Sequence, residues 1–356
     1  LSGCSQTLSR ASTSSTRSVG LSTSFELDVW GRIRRANEAA RATLLASQYS
    51  RDAIRLSIAG LVADTYLALR AYDAQLVVTA ETVKTREESL KLVKTRVDAG
   101  LASPLDGYQA EGLLAAAEAQ LAEQRRLRTL AEHQLALITG NPALKIAAGD
   151  LKQLPLLPEA PAGLPSDLIE GRPDVRQAEQ ELVAANAGIG MAKAGYFPKF
   201  TLTGSLGTES RTLSDLFSAG SNTWSLGLGA LMPILDFGRT SARVDQAKAI
   251  NQQSLIAWQD SLQTAYKEVR DALVSLREYG EEEKAQSTRV DRAEKAMAIA
   301  RLRYEAGHTG YLEVLDAQRS LNDAQLAAIG VRQARLSSSV GLFKALGGGW
   351  KADTPS

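Results

Sequence analysis

Apolar residues recur at seven-residue intervals through one long stretch of the chain: Leu255, Leu262, Val269 and Leu276, with Trp258, Tyr266 and Leu273 between them. That spacing is a coiled-coil seam. The stretch runs from Gly238 to Gly307, contains no proline, and is dominated by Ala, Gln, Glu, Lys, Arg and Leu. These are good helix formers. The pattern predicts a single helix of about 67 residues, roughly 100 Å long at about 1.5 Å per residue. A second stretch has the same frame, opening at Gly31 and closing at Gly100. Both pairs of glycines are 69 residues apart, so the copies are offset by 207. The offset persists beyond them: Leu105 meets Leu312, Ala110 meets Ala317 and Gly140 meets Gly347. A register kept over this length marks a tandem duplication with one rod in each copy.

Ahead of each rod the period changes from seven to two. Val19, Leu21, Phe25, Leu27 and Val29 alternate with Gly20, Ser22, Ser24, Glu26 and Asp28, with Thr23 the one polar break. In copy two, Phe200, Leu202 and Leu206 alternate with Thr201, Thr203 and Ser205. After a polar loop from Gly207 to Asn222, Trp224, Leu226, Leu228, Ala230, Met232 and Ile234 share a face opposite Ser225, Gly227 and Gly229. Period two over about ten residues predicts strands with one apolar face and one face of Ser, Thr and Gly. Such alternation is the pattern of an outer-membrane barrel strand. Residues 1–8 read as a further strand before the Ser/Thr-rich loop of Ser9–Ser18, so each copy is expected to carry a strand pair. Four strands do not close a barrel, and lipid does not tolerate open edges. Closure therefore requires several chains.

Behind each rod a glycine cap and a turn lead into a returning helix. Gly100–Ser103 precedes Pro104, which suits a first helical turn, and this helix runs to about Thr139. His308-Thr309-Gly310 precedes the helix from Tyr311 to about Ala345. Each return helix covers roughly 54 Å, about half a rod. A further helix, Pro173–Ala194, adds roughly 33 Å, so two short helices stacked end to end nearly match one long one. The expected divisions are residues 1–140 for the first repeat, 141–171 for a proline-rich connector, 172–347 for the second repeat and 348–356 for a tail. Copy one has no helix before its first strand, and its counterpart of Arg172–Ala194 would lie upstream of Leu1. The chain therefore reads as N-terminally incomplete relative to a symmetric design.

Composition narrows the function classes. With 41 basic and 40 acidic residues among 356, the balanced charge argues against a nucleic-acid binder, which needs a basic face. One cysteine excludes an internal disulfide and a cysteine-cluster metal site. Leu1-Ser2-Gly3-Cys4 reads as a lipoprotein cleavage box, or, aligned on Leu202-Thr203-Gly204-Ser205, as an ordinary strand. No apolar run approaches the length of a transmembrane helix. There is no nucleophile–base set, no metal-ligand spacing and no phosphate loop: Gly227-Leu228-Gly229 lacks the third glycine and lies in a strand. His133 sits on a helix in a polar stretch and reads as solvated or packed. Neither an enzyme nor a cofactor is expected.

Several motifs together are highly specific: Phe25-Glu26-Leu27-Asp28-Val29-Trp30-Gly31-Arg32, Leu164-Pro165 with Arg172-Pro173-Asp174-Val175, and Ser214-Asp215-Leu216-Phe217 with Trp224-Ser225. Two more are Pro233-Ile234-Leu235-Asp236-Phe237-Gly238-Arg239, and Arg303-Tyr304 through Gly307 to Leu315-Asp316-Ala317-Gln318-Arg319. In these the chain resembles, over essentially its whole length, the TolC-like outer membrane factors of bacterial efflux, most closely their OprM or NodT branch. The resemblance implies a mainly α fold with membrane β: a homotrimer with a twelve-stranded β-barrel in outer-membrane lipid and a periplasmic α-helical tunnel. It implies a periplasmic adaptor and an inner-membrane pump of the RND type as partners, and small-molecule export as the task. A protein-secretion duct, and a non-membrane coiled-coil scaffold, are the alternatives.

Asp316 and Arg319 are three apart and share a helix face. Spacing alone accounts for them as a surface ion pair worth under about 1 kcal/mol. The resemblance implies more: a ring of Asp316 at a periplasmic constriction, an apolar constriction at Leu312, and bonds from Tyr304 and Arg319 that hold the tip closed. Asp106 is the expected acceptor for Tyr304, with its repeat mate Glu313 as the alternative. The turns Gly100-Leu101-Ala102-Ser103 and Gly307-His308-Thr309-Gly310 are small and weakly polar, and are expected to dock the tip of the adaptor's helical hairpin.

Overall fold

The computed structural model describes residues 15–156 and 171–348. The strand expected over residues 1–8, Cys4, and the Leu164-Pro165 motif lie outside these residues. The described elements are β1 (Arg17–Leu27), α1 (Arg32–Asp98), α2 (Pro104–Thr139), a short 3-10 turn (Leu151–Gln153), α3 (Pro173–Ala194), β2 (Lys199–Ser210), β3 (Asn222–Leu231), α4 (Arg239–Glu305) and α5 (Tyr311–Ala345). Both rods are 67-residue helices. The chain divides into two compact units: the described residues up to 46 with 179–257, and 47–178 with the residues from 258 onward. Each unit takes parts of both copies, so the repeat is a unit of sequence and of secondary structure.

In the first unit, β1, β2 and β3 form one antiparallel sheet in that order. The described partner of β1 is a strand of the other copy. Its register pairs Leu21 with Leu206, Phe25 with Leu202 and Leu27 with Phe200; β2 in turn pairs Leu206 with Trp224 and Leu202 with Leu228. Directly opposed residues point to the same face. One face therefore carries Val19, Leu21, Phe25, Leu202, Leu206, Trp224, Leu226 and Leu228, and the other the rows Ser22–Ser205–Ser225 and Ser24–Thr203–Gly227. On that polar face the Ser205 and Ser225 hydroxyls lie 2.7 Å apart and Thr203 donates to the Gly227 carbonyl. Gly20 faces Gly207 where β1 and β2 approach closely; a Cβ on Gly207 would lie 2.7 Å from the Val19 carbonyl oxygen. The strands differ from expectation at their ends. Val29, Met232 and Ile234 lie beyond them, and β2 continues through Ser210, which shortens the loop to residues 211–221.

Where strands give way to rods, side chains close the joints. Asp28 accepts from the Ile33 and Arg34 amides at 2.8 Å and caps α1. Asp236 accepts from the Gly238 and Thr240 amides before α4. Gly31 and Gly238 adopt φ of 78° and 85°, which side chains rarely tolerate. Trp30 stacks on Phe197 with ring centroids 4.4 Å apart and donates to the Pro198 carbonyl.

Among the described residues, the second unit holds three apolar clusters. One joins Val175, Ala265, Val269, Leu342, Ala345 and Leu346, with Leu262, Ala272 and Leu276 packed against it. The seam of the second rod thus runs Leu262–Ala265–Val269–Ala272–Leu276. Tyr266 and Leu273, expected to fill it, are exposed. Alanines at the alternate positions let neighbouring helices approach closely, and the large side chains one residue further on turn outward. Another cluster packs Leu67, Ala71, Leu151 and Leu336 beneath the connector.

Guanidinium groups from three helices hold that connector. Arg70 donates to the Ala147 carbonyl, Arg128 to that of Ile146 and Arg332 to that of Leu154. Carboxylates hold the arginines in turn. Asp73 accepts from Arg70, from Arg128 and from the Gly149 amide, and Glu283 accepts from Arg332 and Arg335.

Candidate functional site

The expected site residues all lie in the second unit, around the two turns that end the rods. The first turn is built by capping. Gly100 takes φ 71° and ends α1, while Ser103 caps α2: its hydroxyl accepts from the Leu105 amide, and Asp106 accepts from the Ser103 amide. This reciprocal arrangement satisfies two helix-end donors at once. The second turn is closed differently. Gly307 takes φ 76°, Gly310 supplies no side chain at the cap, and Glu313 accepts from both Arg303 and the Thr309 hydroxyl. Gly100, Gly107, Gly307 and Gly310 have open space where a Cβ would stand. Leu101 and His308 are exposed, whereas Ala102 and Thr309 are half-buried.

Beneath the turns lies the third apolar cluster: Val93, Ala110, Ala300, Tyr304, Tyr311, Val314 and Leu315. The Tyr304 and Tyr311 rings are 5.4 Å apart. Arg96 places its guanidinium 4.5 Å from the Tyr304 ring centre and donates to the Tyr304 carbonyl, fastening one rod to the other. Burial, with the neighbouring Tyr304, pushes the Tyr311 phenol up to about 12, so it remains neutral.

The expected bond from Tyr304 to Asp106 is not formed. The Tyr304 hydroxyl is buried and meets no protein partner, and Asp106 is engaged in the Ser103 cap. Glu313 is not its acceptor either, being engaged with Arg303 and Thr309. Capping geometry accounts for both: a carboxylate in a helix's first turn closes the local turn at little conformational cost. Arg96 was missed in the sequence, although a basic residue in the last turn of a rod is a signal that it faces the helix end.

The first two turns of α5 separate two stripes. Tyr311, Val314, Leu315 and Gln318 are buried, and Gln318 reaches Ser89 at 3.1 Å. Leu312, Asp316 and Arg319, spaced four and three apart, are exposed on the opposite side, with Leu312 71% accessible. Arg319 and Asp316 form a loose pair at 3.4 Å. Leu105, the repeat mate of Leu312, is likewise exposed on α2. The described residues include no group of three side chains able to hold a metal, and no helix long and apolar enough to cross a membrane.

Comparison with known proteins places these features in a wider set. Residues 2–141 and 164–348 match the family described as outer membrane efflux protein. The solvent efflux pump outer membrane protein SrpC of Pseudomonas putida is 39% identical over 336 residues, covering 93% of this chain and 71% of that one. The outer membrane protein OprJ of Pseudomonas aeruginosa is 37% identical over 344 residues, covering 96% and 72%. Among solved structures, CusC superposes with a TM-score of 0.91 at 32% identity over 97% of this chain and 81% of that one. The open state of the Neisseria gonorrhoeae MtrE outer membrane channel gives 0.88 at 34% identity over 99% and 80%.

Proposed function

From the premise that this chain belongs to the outer membrane efflux protein family, we propose that three copies assemble into a gated duct whose constriction is lined by Leu312, Asp316 and Arg319. The protein is the outer-membrane duct of a tripartite efflux system, set in the outer membrane of a Gram-negative bacterium. It works with a periplasmic adaptor and an inner-membrane pump. The finer reading is that the pump is of the RND type, that the turns 100–103 and 307–310 receive the adaptor, and that three sheets of four strands close a twelve-stranded barrel. The sheet supports the barrel: its apolar face suits lipid and its Ser/Thr/Gly face suits an aqueous lumen. Solvent- and drug-sized cargo fits relatives described as solvent, toluene and antibiotic efflux proteins. The duct is a passage, and no chemical step is assigned to it.

One observation carries the gate. α5 buries one stripe within its own chain and leaves Leu312, Asp316 and Arg319 on the other. Leu312 is a largely exposed apolar side chain on that otherwise polar stripe. Around a threefold axis the three leucines meet, and three Asp316 carboxylates come near one another. Their mutual repulsion opposes closure unless Arg319 or a cation offsets it. Because the Tyr304 hydroxyl engages no carboxylate, Tyr304→Phe alone should leave conduction unchanged, and Arg319 carries the effect. In planar bilayers, Arg319→Ser is expected to raise single-channel conductance, and Asp316→Ala to weaken block by divalent cations added on the periplasmic side. Wild-type conductance and block in both variants would place the constriction elsewhere.

A further inference from the structure

Arg86 is a charged side chain that the duct reading leaves unexplained. It lies on α1 and is only 8% exposed. One terminal nitrogen donates to the Leu113 carbonyl on α2, while its Nε meets no protein acceptor. No carboxylate is hydrogen-bonded to it among the described residues; Asp323 acts on it only at longer range. Burial accordingly pushes the guanidinium below its ordinary range. Elsewhere in this unit buried arginines are paired: Arg70 and Arg128 share Asp73, and Arg172 holds Asp174 and Glu268. A buried cation with one carbonyl partner is costly unless an anion reaches it.

Arg86 lines a cavity of about 300 Å³. Val77, Val78, Met297 and Leu321 give it an apolar wall, and Thr82, Asn322 and Gln325 are among its polar groups. The Thr82 hydroxyl lies within hydrogen-bond distance of two acceptors, the Val78 carbonyl and the Asn322 side-chain oxygen, and has one proton to give, so neither group neutralises the guanidinium. Glu81, also in the lining, is exposed and solvated at the rim. With one terminal nitrogen held by Leu113, the guanidinium can offer a carboxylate a charge-assisted hydrogen bond from the other, and the apolar wall suits a compact hydrophobic body.

We propose that this cavity, between α1, α4 and α5, is a binding site for a small organic carboxylate whose head group sits on Arg86. Its lining includes the buried Gln318 of the gate helix but none of Leu312, Asp316, Arg319 or the turn residues.

The test uses the full chain in lipid nanodiscs, free of competing detergent, with 1-naphthoate as probe and 1-naphthamide as its uncharged match, followed by isothermal titration calorimetry. Naphthoate is expected to bind at least about tenfold more tightly than naphthamide, the difference carried by one charge-assisted contact. Arg86→Gln should reduce that preference to about twofold or less. Gln325→Trp, which keeps Arg86 and fills the cavity, should abolish binding of both compounds and serves where Arg86→Gln fails to fold. Equal affinity for the two compounds, no binding of naphthoate, or undiminished binding to Gln325→Trp overturns the proposal.

Discussion

Removing the Asp73 carboxylate should free the connector locally while the rods stay folded. Asp73 has 3% of its side chain exposed, and its partners Arg70 and Arg128 have 11% and 19%. It accepts from Arg70 at 2.9 Å, from Arg128 at 2.8 Å and from the Gly149 amide at 3.1 Å. Asp73→Ala leaves two largely buried guanidiniums with Glu132 as the one carboxylate paired to either among the described residues, and leaves the Gly149 amide without its acceptor. Breaking a buried pair by removing one partner costs about 3–5 kcal/mol. The partial exposure of both arginines favours the lower end. The cost falls where the same arginines bind the Ile146 and Ala147 carbonyls, so the connector is the part that opens.

Amide hydrogen exchange reads this directly, because it reports local opening. A loss of about 3 kcal/mol speeds exchange roughly 100-fold. That acceleration is expected at Gly149 and Ile146, with amides in the middle of α1 unchanged. Asp73→Asn keeps one acceptor and should give an intermediate rise. Glu123→Gln, which breaks the half-exposed Glu123–Arg126 pair on α2, the helix of Arg128, should change nothing measurable. If Asp73→Ala leaves exchange at Gly149 within about twofold of wild type, the arginine–carboxylate network does not hold the connector, and the apolar contacts of Leu151 and Leu154 with α1 and α5 do.

The remaining predictions concern acid and docking. Burial raises the Asp174 carboxyl, but hydrogen bonds from Arg172 outweigh it and hold it below the ordinary carboxylate range. The stability it contributes is therefore full above about pH 4 and is lost as pH falls through its lowered value. Wild type should lose heat stability below about pH 4 more steeply than Asp174→Asn, the two converging at the lowest pH; parallel curves would contradict the assignment. Ala102→Trp or Thr309→Trp should abolish drug resistance in cells while assembly and membrane insertion persist, and unchanged resistance would remove the turns from the adaptor site.

Element boundaries were legible because they are punctuated by residues with backbone consequences. Gly31, Gly100, Gly140, Gly238 and Gly307 all adopt positive φ, and proline opens α2 and α3. These are local constraints, so a single sequence displays them without any tertiary information. What the sequence misplaced depends on neighbours. The second rod carries large apolar residues at both 266/273 and 262/269/276, and a heptad count favours both sets. Packing selects Ala265 and Ala272 as the inward partners, since close helix approach needs small side chains, and leaves Tyr266 and Leu273 outside.

The same limit governs the site. Spacing places Asp316 and Arg319 on one helix face, the resemblance adds Leu312, and α5 exposes all three. The carboxylate Asp106 was assigned a distant tyrosine, although it stands three residues after Ser103, the spacing of a reciprocal cap. A short-range partner fixed by helix geometry prevails over a long-range one, because it closes the turn at little conformational cost. Tyr304 is then held by its ring, against Tyr311 and under Arg96, and not by its hydroxyl. The packing of the rod ends within one chain therefore rests on aromatic burial and a cation over a ring. The exposed charges of α5 do not hold that arrangement and are left for contacts the single chain does not make.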